Sequence, residues 1–445
     1  MLPNKKYCFY FVVSNKFCTF AAKSKYMEKE LFRAIIAENQ EYIGRIPLVQ
    51  RPLDLEEYGN YVFVGVRQAG KSYLLYQRIQ QLLANGVEIE NIVYVNFDDE
   101  RLQGMSVTDF DLILQAYHSM YDSQPIFFFD EIQNVEGWAN FARRLANQKY
   151  HIYITGSNAK MLSRDIETVL GGRYLDISVF PYSFPEYLKA EGVLLSKNWQ
   201  YGRKANELQR HFRTYFDWGG FPELVHFQEK RVWLNSLYNR IFFNDLVVRH
   251  KVKNEDALRL CVRRLAESVK QPCSLNRLSN LIKATGTSCS PSTVMEYVRY
   301  LQESCLLISI DNYVSKFVEK ETIKKHYFVD NGLLHLFINN PNTSLLENLC
   351  AITLYKKYGK GLYYYNKNIE VDFYVPGEGL AVQASYQMSD GETIEREVKA
   401  LVALHGLYPL KRAMIITYDD EGEIVRDGLK IEIRPAWKWV VSGEC

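Results

Sequence analysis

Between residues 61 and 180 the chain alternates short unbroken apolar runs with longer stretches where apolar residues recur every three or four positions. The runs are YVFV (61–64), the apolar part of NIVYVNFDDE (91–100), IFFFD (126–130) and YHIYIT (150–155). A strand covered by helices on both faces is apolar at nearly every position, so these runs predict a parallel sheet in an α/β domain. After the first run, Leu75, Ile79, Leu82 and Leu83 fall at helical spacing and Asn85-Gly86 supplies a stop. Residues 190–245 carry aromatic and basic residues at helical spacing, which predicts a helical cap whose aromatic stripe is core packing. Over 274–308, a helix (Leu275, Leu278, Leu281, Ile282), a turn at Gly286 and a helix from Ser290-Pro291 form a helix-turn-helix pattern, with Leu306, Leu307 and Ile308 as a wing strand. The last part reads as a helix (345–359) followed by strands at 361–366, 370–375, 380–386 and 412–417, the second and third joined by a Pro-Gly turn.

Length and composition narrow this picture only slightly. The 445 residues allow two or three domains, with 47% hydrophobic and 24% charged residues as in an ordinary globular protein. A net charge of +2 points to no polyanionic partner for the whole chain, so a basic surface must be local. One candidate is 249–325, with 14 Lys/Arg against 8 Asp/Glu. Eight cysteines at irregular spacings, with no C-x-x-C pair, fit free thiols in a reducing cytoplasm and no zinc site. The N-terminal apolar runs are broken by Ser14, Asn15 and Lys16, too short for the roughly 20 residues of a membrane span. A basic start before an apolar run also suits a signal peptide. The expectation is instead a start at Met27, with 1–26 carrying no function and no membrane partner.

The chemistry is densest after the first run. Gly65, Val66, Arg67, Gln68, Ala69, Gly70, Lys71 and Ser72 match G-x-x-x-x-G-K-[ST] between a strand and a helix. In that setting backbone N–H groups and the helix N-terminus cradle phosphates, Lys71 reaches the β/γ-phosphates and Ser72 ligates Mg²⁺. IFFFDE ends in Asp130 and Glu131, expected to hold the Mg²⁺ shell and to polarise the attacking water. An acid pair at a strand end also suits a helix cap; the glycine loop upstream favours the nucleotide. Asn158, after the fourth run, is expected to sense the γ-phosphate or place the water, with a helix cap as the alternative. Arg173, after Gly171-Gly172, is a candidate arginine finger or an ordinary surface arginine. Acting on a neighbouring subunit it requires an oligomer; acting within its own chain it does not.

The ordered set GVRQAGKS, FFFDEIQN, ITGSN, GGRYLDISVFPYSFPEY, DWGGFPELV and FFNDLVVRH resembles prokaryotic AAA-type ATPases with a DUF4143 C-terminal region, from about Met27 to near the C-terminus. The resemblance implies ATP as the nucleotide and an AAA+-like core. It divides the chain into a P-loop ATPase domain (27–189), a helical cap (190–248), a winged helix-turn-helix (249–312) and a restriction-endonuclease-like α/β domain (313–445). In such an end domain it implies a helix glutamate, a strand acid, then an acid-x-lysine pair. Glu347 and Asp372 match the first two; Gln383 is neutral and Ser385 is no cation, while Lys399 lies on a following helix. Without that carboxylate Mg²⁺ binding is weakened and without the lysine charge stabilisation is lost, so the end domain is expected not to cut and Asp372 to be a structural or capping residue.

The expected function is an ATPase that uses ATP and Mg²⁺ to reposition C-terminal modules, with DNA bound through 274–308 or a protein as partner. An ATP-controlled DNA nuclease and a nucleotide-sensing regulatory module are the alternatives.

Overall fold

The computed structural model describes residues 27–443 apart from 57, 163–167, 196 and 389, so the extension 1–26 lies outside the described residues. Five strands, β1 (Asn60–Val64), β2 (Ile92–Asn96), β3 (Ile126–Asp130), β4 (His151–Gly156) and β5 (Tyr174–Ser178), pair in parallel in the order β2-β3-β4-β1-β5. Side chains alternate across this sheet. Val62, Val64, Val95, Phe129 and Ile154 face α1 (Lys29–Tyr42), α3 (Phe110–His118) and α4 (Trp138–Asn147). Phe63, Tyr94, Phe128 and Tyr153 face the side covered by α2 (Lys71–Ala84). Burial on both faces explains why β1 to β4 are apolar at successive positions. Glycine loop and acidic strand ends therefore meet at the carboxyl edge, where open α/β sheets bind ligands.

The cap comprises α5 (Phe184–Ala190), α6 (Gly202–Trp218), α7 (Lys230–Arg240) and a π-helical turn over Ile241–Val248. Phe184, Tyr187, Phe212, Tyr215 and Phe216 are buried against one another, so the aromatic stripe is packing, as its spacing predicts.

Three helices follow: α8 (Glu255–Glu267), α9 (Leu275–Lys283) and α10 (Pro291–Glu303). The expected helix-turn-helix is present as α9 and α10, each capped by a serine: Ser274 accepts from Arg277 N and Ser290 from Thr293 N. The strand expected after them is one arm of a hairpin. β7 (Leu307–Asn312) pairs antiparallel with β8 (Ile323–Phe328) across the short helix α11 (Phe317–Thr322), and β8 pairs with β6 (Cys273–Ser274). β7 also pairs in parallel with β9 (Tyr363–Asn366), the first strand of the end domain. Helix α12 (Asn331–His335) and the buried α13 (Asn342–Tyr358) precede it.

A nine-stranded sheet results, in the order β13-β14-β12-β11-β10-β9-β7-β8-β6. It adds β10 (Glu370–Val375), β11 (Leu380–Ala384), β12 (Arg412–Thr417), β13 (Gly422–Arg426) and β14 (Leu429–Pro435), with α14 (Gly391–Leu407) and α15 (Ala436–Ser442) packed on it. The expected boundary between 312 and 313 thus falls inside the β7–β8 hairpin. Strand pairing of β7 with β9 makes one sheet of what the local patterns read as two modules.

One apolar cluster runs from Phe63 through Phe216 to Trp439 and ties the N-terminal domain to the end domain. A polar tie reinforces it, since Gly220 N donates to Asp330 Oδ2 at 2.8 Å. A Cβ on the neighbouring Gly219 (φ 79°) would collide with that same carboxylate.

Candidate functional site

The glycine loop is shaped by its backbone needs. A Cβ on Gly65 would lie 2.0 Å from Val179 O, and Gly70 takes a left-handed φ of 93° where α2 begins. Gln68 is also left-handed (φ 63°), a conformation that costs a residue with a side chain about 1 kcal/mol or more. Lys71 Nζ donates to Gly65 O and Val66 O, both at 3.2 Å, and lies 3.3 Å from Glu131 Oε1.

Asp130 is buried at the end of β3, held by hydroxyls. Tyr94 Oη donates to it at 2.7 Å, Thr155 Oγ1 donates to its other oxygen, and the Ser72 hydroxyl lies against it. Burial raises its pKa, the neighbouring Glu131 charge adds to the rise, and the hydroxyls offset part of it. Glu131 is left-handed (φ 51°), with its N–H donated to Thr155 Oγ1 at 2.9 Å and Gln133 Nε2 bonded to its carboxylate at 2.5 Å. Burial opposes its ionisation, but Lys71 and Gln133 bring its pKa below the ordinary value. Asn158 follows β4, which lies between β3 and β1, and so stands at the same edge. Glu131, Asn158, the glycine loop, Ser72 and Asp130 thus lie at one edge of the sheet.

Arg173 does not join them. It precedes β5, whose Tyr174 pairs with Asn60 at the start of β1, whereas the glycine loop follows Val64 at the other end. Four strand steps of roughly 3.3 Å separate the two edges, beyond a side chain's reach. The alternative of action within its own chain falls. Its exposed guanidinium donates to Gly171 O at 3.0 Å.

Partners that sequence reasoning missed come from far along the chain. Arg67 is bound by Asp245 of the π-helical turn, at 2.9 Å from Nε and 3.0 Å from Nη2, and Asp245 also pairs with Arg249 at 3.0 Å. The only signal in the sequence was FFNDLVVRH, read for its resemblance and given no role. Cys305, at the end of α10, contacts both cores. Its thiol pKa is pushed up to about 11 by burial, with the charge of Lys71 and the Ala159 backbone acting in the opposite direction, so the helix-turn-helix packs on the turn that follows β4. The site fits an anionic, metal-bound phosphate chain: Arg249 Nη1 is a buried donor without a partner among the described residues, and Ser72 with Asp130 offers hard oxygen ligands.

The end domain holds a second polar centre. Lys325 of β8, fully buried, places Nζ 2.9 Å from Asp372 Oδ1, 3.3 Å from Glu347 Oε1 and 3.2 Å from Glu370 Oε1. A lysine is therefore present, supplied by a strand outside the hairpin, while Lys399 is exposed and paired with Glu395. Gln383 braces β10: its Oε1 accepts from Asp372 N and its Nε2 donates to Glu370 O. Ser385 Oγ donates to Gln387 O. The ammonium stands between the carboxylates where a cation would have to sit, and among the described residues no cluster of His, Cys, Asp or Glu is arranged to hold a metal. Asp372 is pinned by Lys325 and by Ala384 N at 3.1 Å.

Part of the basic excess over 249–325 is balanced locally. Arg249, Arg264, Arg299, Lys324 and Lys325 are ion-paired, and the hydroxyls of Ser290, Ser292 and Thr293 bond to one another at the start of α10. No helix among the described residues is long and apolar enough to cross a membrane.

Residues 58–188 match the family AAA_14, an AAA domain. Residues 209–344 match a domain of unknown function, DUF8612, so the resemblance to a DUF4143 region is not confirmed. The chain is 31% identical over 435 residues to the uncharacterized protein MJ1544 of Methanocaldococcus jannaschii, covering 93% of this chain and 96% of that one. It is also 31% identical over 304 residues to an uncharacterized protein of Haemophilus influenzae, covering 66% and 74%. Among solved structures, the Walker-type ATPase PABY2304 of Pyrococcus abyssi is 12% identical, covering 71% of this chain and 97% of that chain at a TM-score of 0.41, too distant to argue from. The chain belongs to one family with the Methanocaldococcus jannaschii protein MJ1544, and its N-terminal part is an AAA-type P-loop domain built to bind ATP.

Proposed function

We propose that the chain hydrolyses ATP with Mg²⁺ and uses the change of nucleotide state to shift its helix-turn-helix and end domain. The observation that carries this reading is the convergence of Lys71, Ser72, Asp130 and Glu131 at one sheet edge. Bound Mg²⁺ would neutralise developing phosphate charge, and Ser72 and Asp130 are the residues to hold it. Lys71 and the loop N–H groups bind and orient the phosphates. Glu131, kept ionised, accepts hydrogen-bond donation from the attacking water, and Asn158 helps to place that water. Arg173 acts on the nucleotide of a neighbouring copy, so full activity requires an oligomer. Transmission is supported by Asp245, which links the loop residue Arg67 to the segment leading into α8, and by Cys305, which meets the Ala159 backbone after β4. The cytoplasm is the compartment this chemistry suits.

Phosphate release from ATP and Mg²⁺ by the full chain is the test. Turnover abolished by Lys71→Ala supports the reading, and turnover unchanged by it overturns it. The nuclease alternative is disfavoured by the ammonium of Lys325 at the centre of the acid group.

A further inference from the structure

Two cavities border the end domain, the smaller at its seam with the cap, and neither belongs to the nucleotide site. The smaller, about 590 Å³, is lined by Arg203, Arg210 and Arg213 of α6, facing Tyr418 and Trp437. Offsets of seven and three residues put the three arginines on one helix face. All three are exposed, and among the described residues none is in a salt bridge. The single acid in this cavity, Asp419, is engaged by Gln209 Nε2 at 3.2 Å and Trp437 Nε1 at 3.3 Å. Arg210 and Arg213 feel the charges of Glu207 and Asp217 without forming a salt bridge to either, so three exposed guanidiniums on one helix face can take an anion.

The larger cavity, about 1070 Å³, opens toward the Lys325 centre and is lined on the near side by Tyr386. Tyr386 and Tyr418 stack with ring centroids 4.9 Å apart, and Phe216 supports Tyr418 edge-on at 5.2 Å. The two cavities therefore meet at a half-buried aromatic ledge beside the arginines. A ledge of this kind serves a base whose face is free, which a duplex does not offer.

We propose that a single-stranded nucleic acid binds along this seam, its phosphates on Arg203, Arg210 and Arg213 and a base on the Tyr386–Tyr418 ledge. The helix-turn-helix competes poorly for that role, because its hydroxyls bond to one another and Arg299 lies over Tyr300 near Glu303. The proposal goes beyond the nucleotide reading and does not depend on it, since binding is measured here without ATP.

The experiment is fluorescence anisotropy of the full chain with labelled 20-mer oligothymidylate and oligouridylate, each against a duplex of equal length. Arg210→Gln/Arg213→Gln is expected to weaken single-strand binding about tenfold or more and to flatten the salt slope by roughly 1.4, two phosphate contacts at 0.7 each. Tyr418→Leu, with Tyr386→Leu as a second probe of the ledge, is expected to weaken it about tenfold. Preference for either oligomer over the duplex, with both losses, supports the proposal. Wild-type affinity in the double arginine variant overturns it, as does equal competition by inorganic polyphosphate. Loss of binding in Lys283→Glu/Arg299→Glu with none in the arginine variant would move the site to the helix-turn-helix and also overturn it.

Discussion

Arg67 of the glycine loop and Asp245 of the π-helical turn are joined by two hydrogen bonds, 2.9 and 3.0 Å, across 178 residues of chain. Asp245 is almost fully buried and also holds Arg249, so a single carboxylate balances two guanidiniums beside the phosphate loop. Asp245→Asn leaves both cations without a counter-charge. The expected cost is roughly 2–3 kcal/mol in urea unfolding, at the low end for a buried pair because both arginines reach solvent. Nucleotide affinity should change in the same variant. Unchanged stability and affinity would remove Asp245 from the coupling route.

Glu131→Gln keeps the shape of the side chain and removes its charge. ATP binding should stay within a few-fold of wild type while turnover falls about 10²- to 10⁴-fold, read by phosphate release and by binding of a labelled nucleotide. Turnover within threefold of wild type would take the water-polarising role from Glu131.

Arg173 stands at the sheet edge opposite the glycine loop, so its effect should depend on assembly. Specific activity of the wild type is expected to rise with protein concentration, and Arg173→Ala to flatten that rise while leaving nucleotide binding intact. A variant that rises as steeply as wild type shows that Arg173 is an ordinary surface residue.

Lys325 compensates three carboxylates in a buried setting. Burial raises the pKa of Glu347 to about 7, the charge of Asp372 adds to the rise, and Lys325 opposes it. Lys325→Met should destabilise the chain by about 3–5 kcal/mol, and adding Glu347→Gln should recover part of the loss by removing one orphaned charge. No recovery in the double variant would mean that the lysine acts through packing of its stem.

Lys356 of α13 donates to Pro181 O at 3.0 Å, near Glu186, Arg51 and Asp330. Burial lowers its pKa to about 8 from 10.5, with Glu186 acting in the opposite direction. Between those values the unfolded chain holds the proton and the folded one does not, so this group's contribution to stability rises with pH from about 8 to 10.5. Compared with Lys356→Met in urea titrations, the wild type should gain relative stability between pH 7.5 and 9.5. A constant difference across that range would show that the buried lysine keeps its proton.

Much of the fold and half of the chemistry were legible along the chain. YVFV, IFFFD and YHIYIT read as strands because helices cover both faces of the sheet, which makes every position apolar. Gly65 to Ser72 reads as a phosphate loop because its function rests on backbone geometry set by neighbouring residues. Asp130 and Glu131 follow from their place at a strand end. All of these are short-range consequences of sequence.

Pairs that only folding brings together were not legible. Lys325 meets Glu347 and Asp372 because β7 joins β9 and draws β8 against α13, and no pattern local to EVDFYVPGEGLAVQASYQ could announce it. Arg173 follows two glycines as a finger would, yet parallel pairing of β5 with β1 carries it to the edge away from the loop. Asp245 reaches Arg67 through the turn of the cap, and Arg210 and Tyr418 line one cavity because α6 packs on the end domain. Periodicity and backbone-built motifs are properties of consecutive residues, so the sequence alone determined the elements and the phosphate loop. Strand order and helix packing set distances between remote side chains, so only the tertiary structure decided which charges face one another.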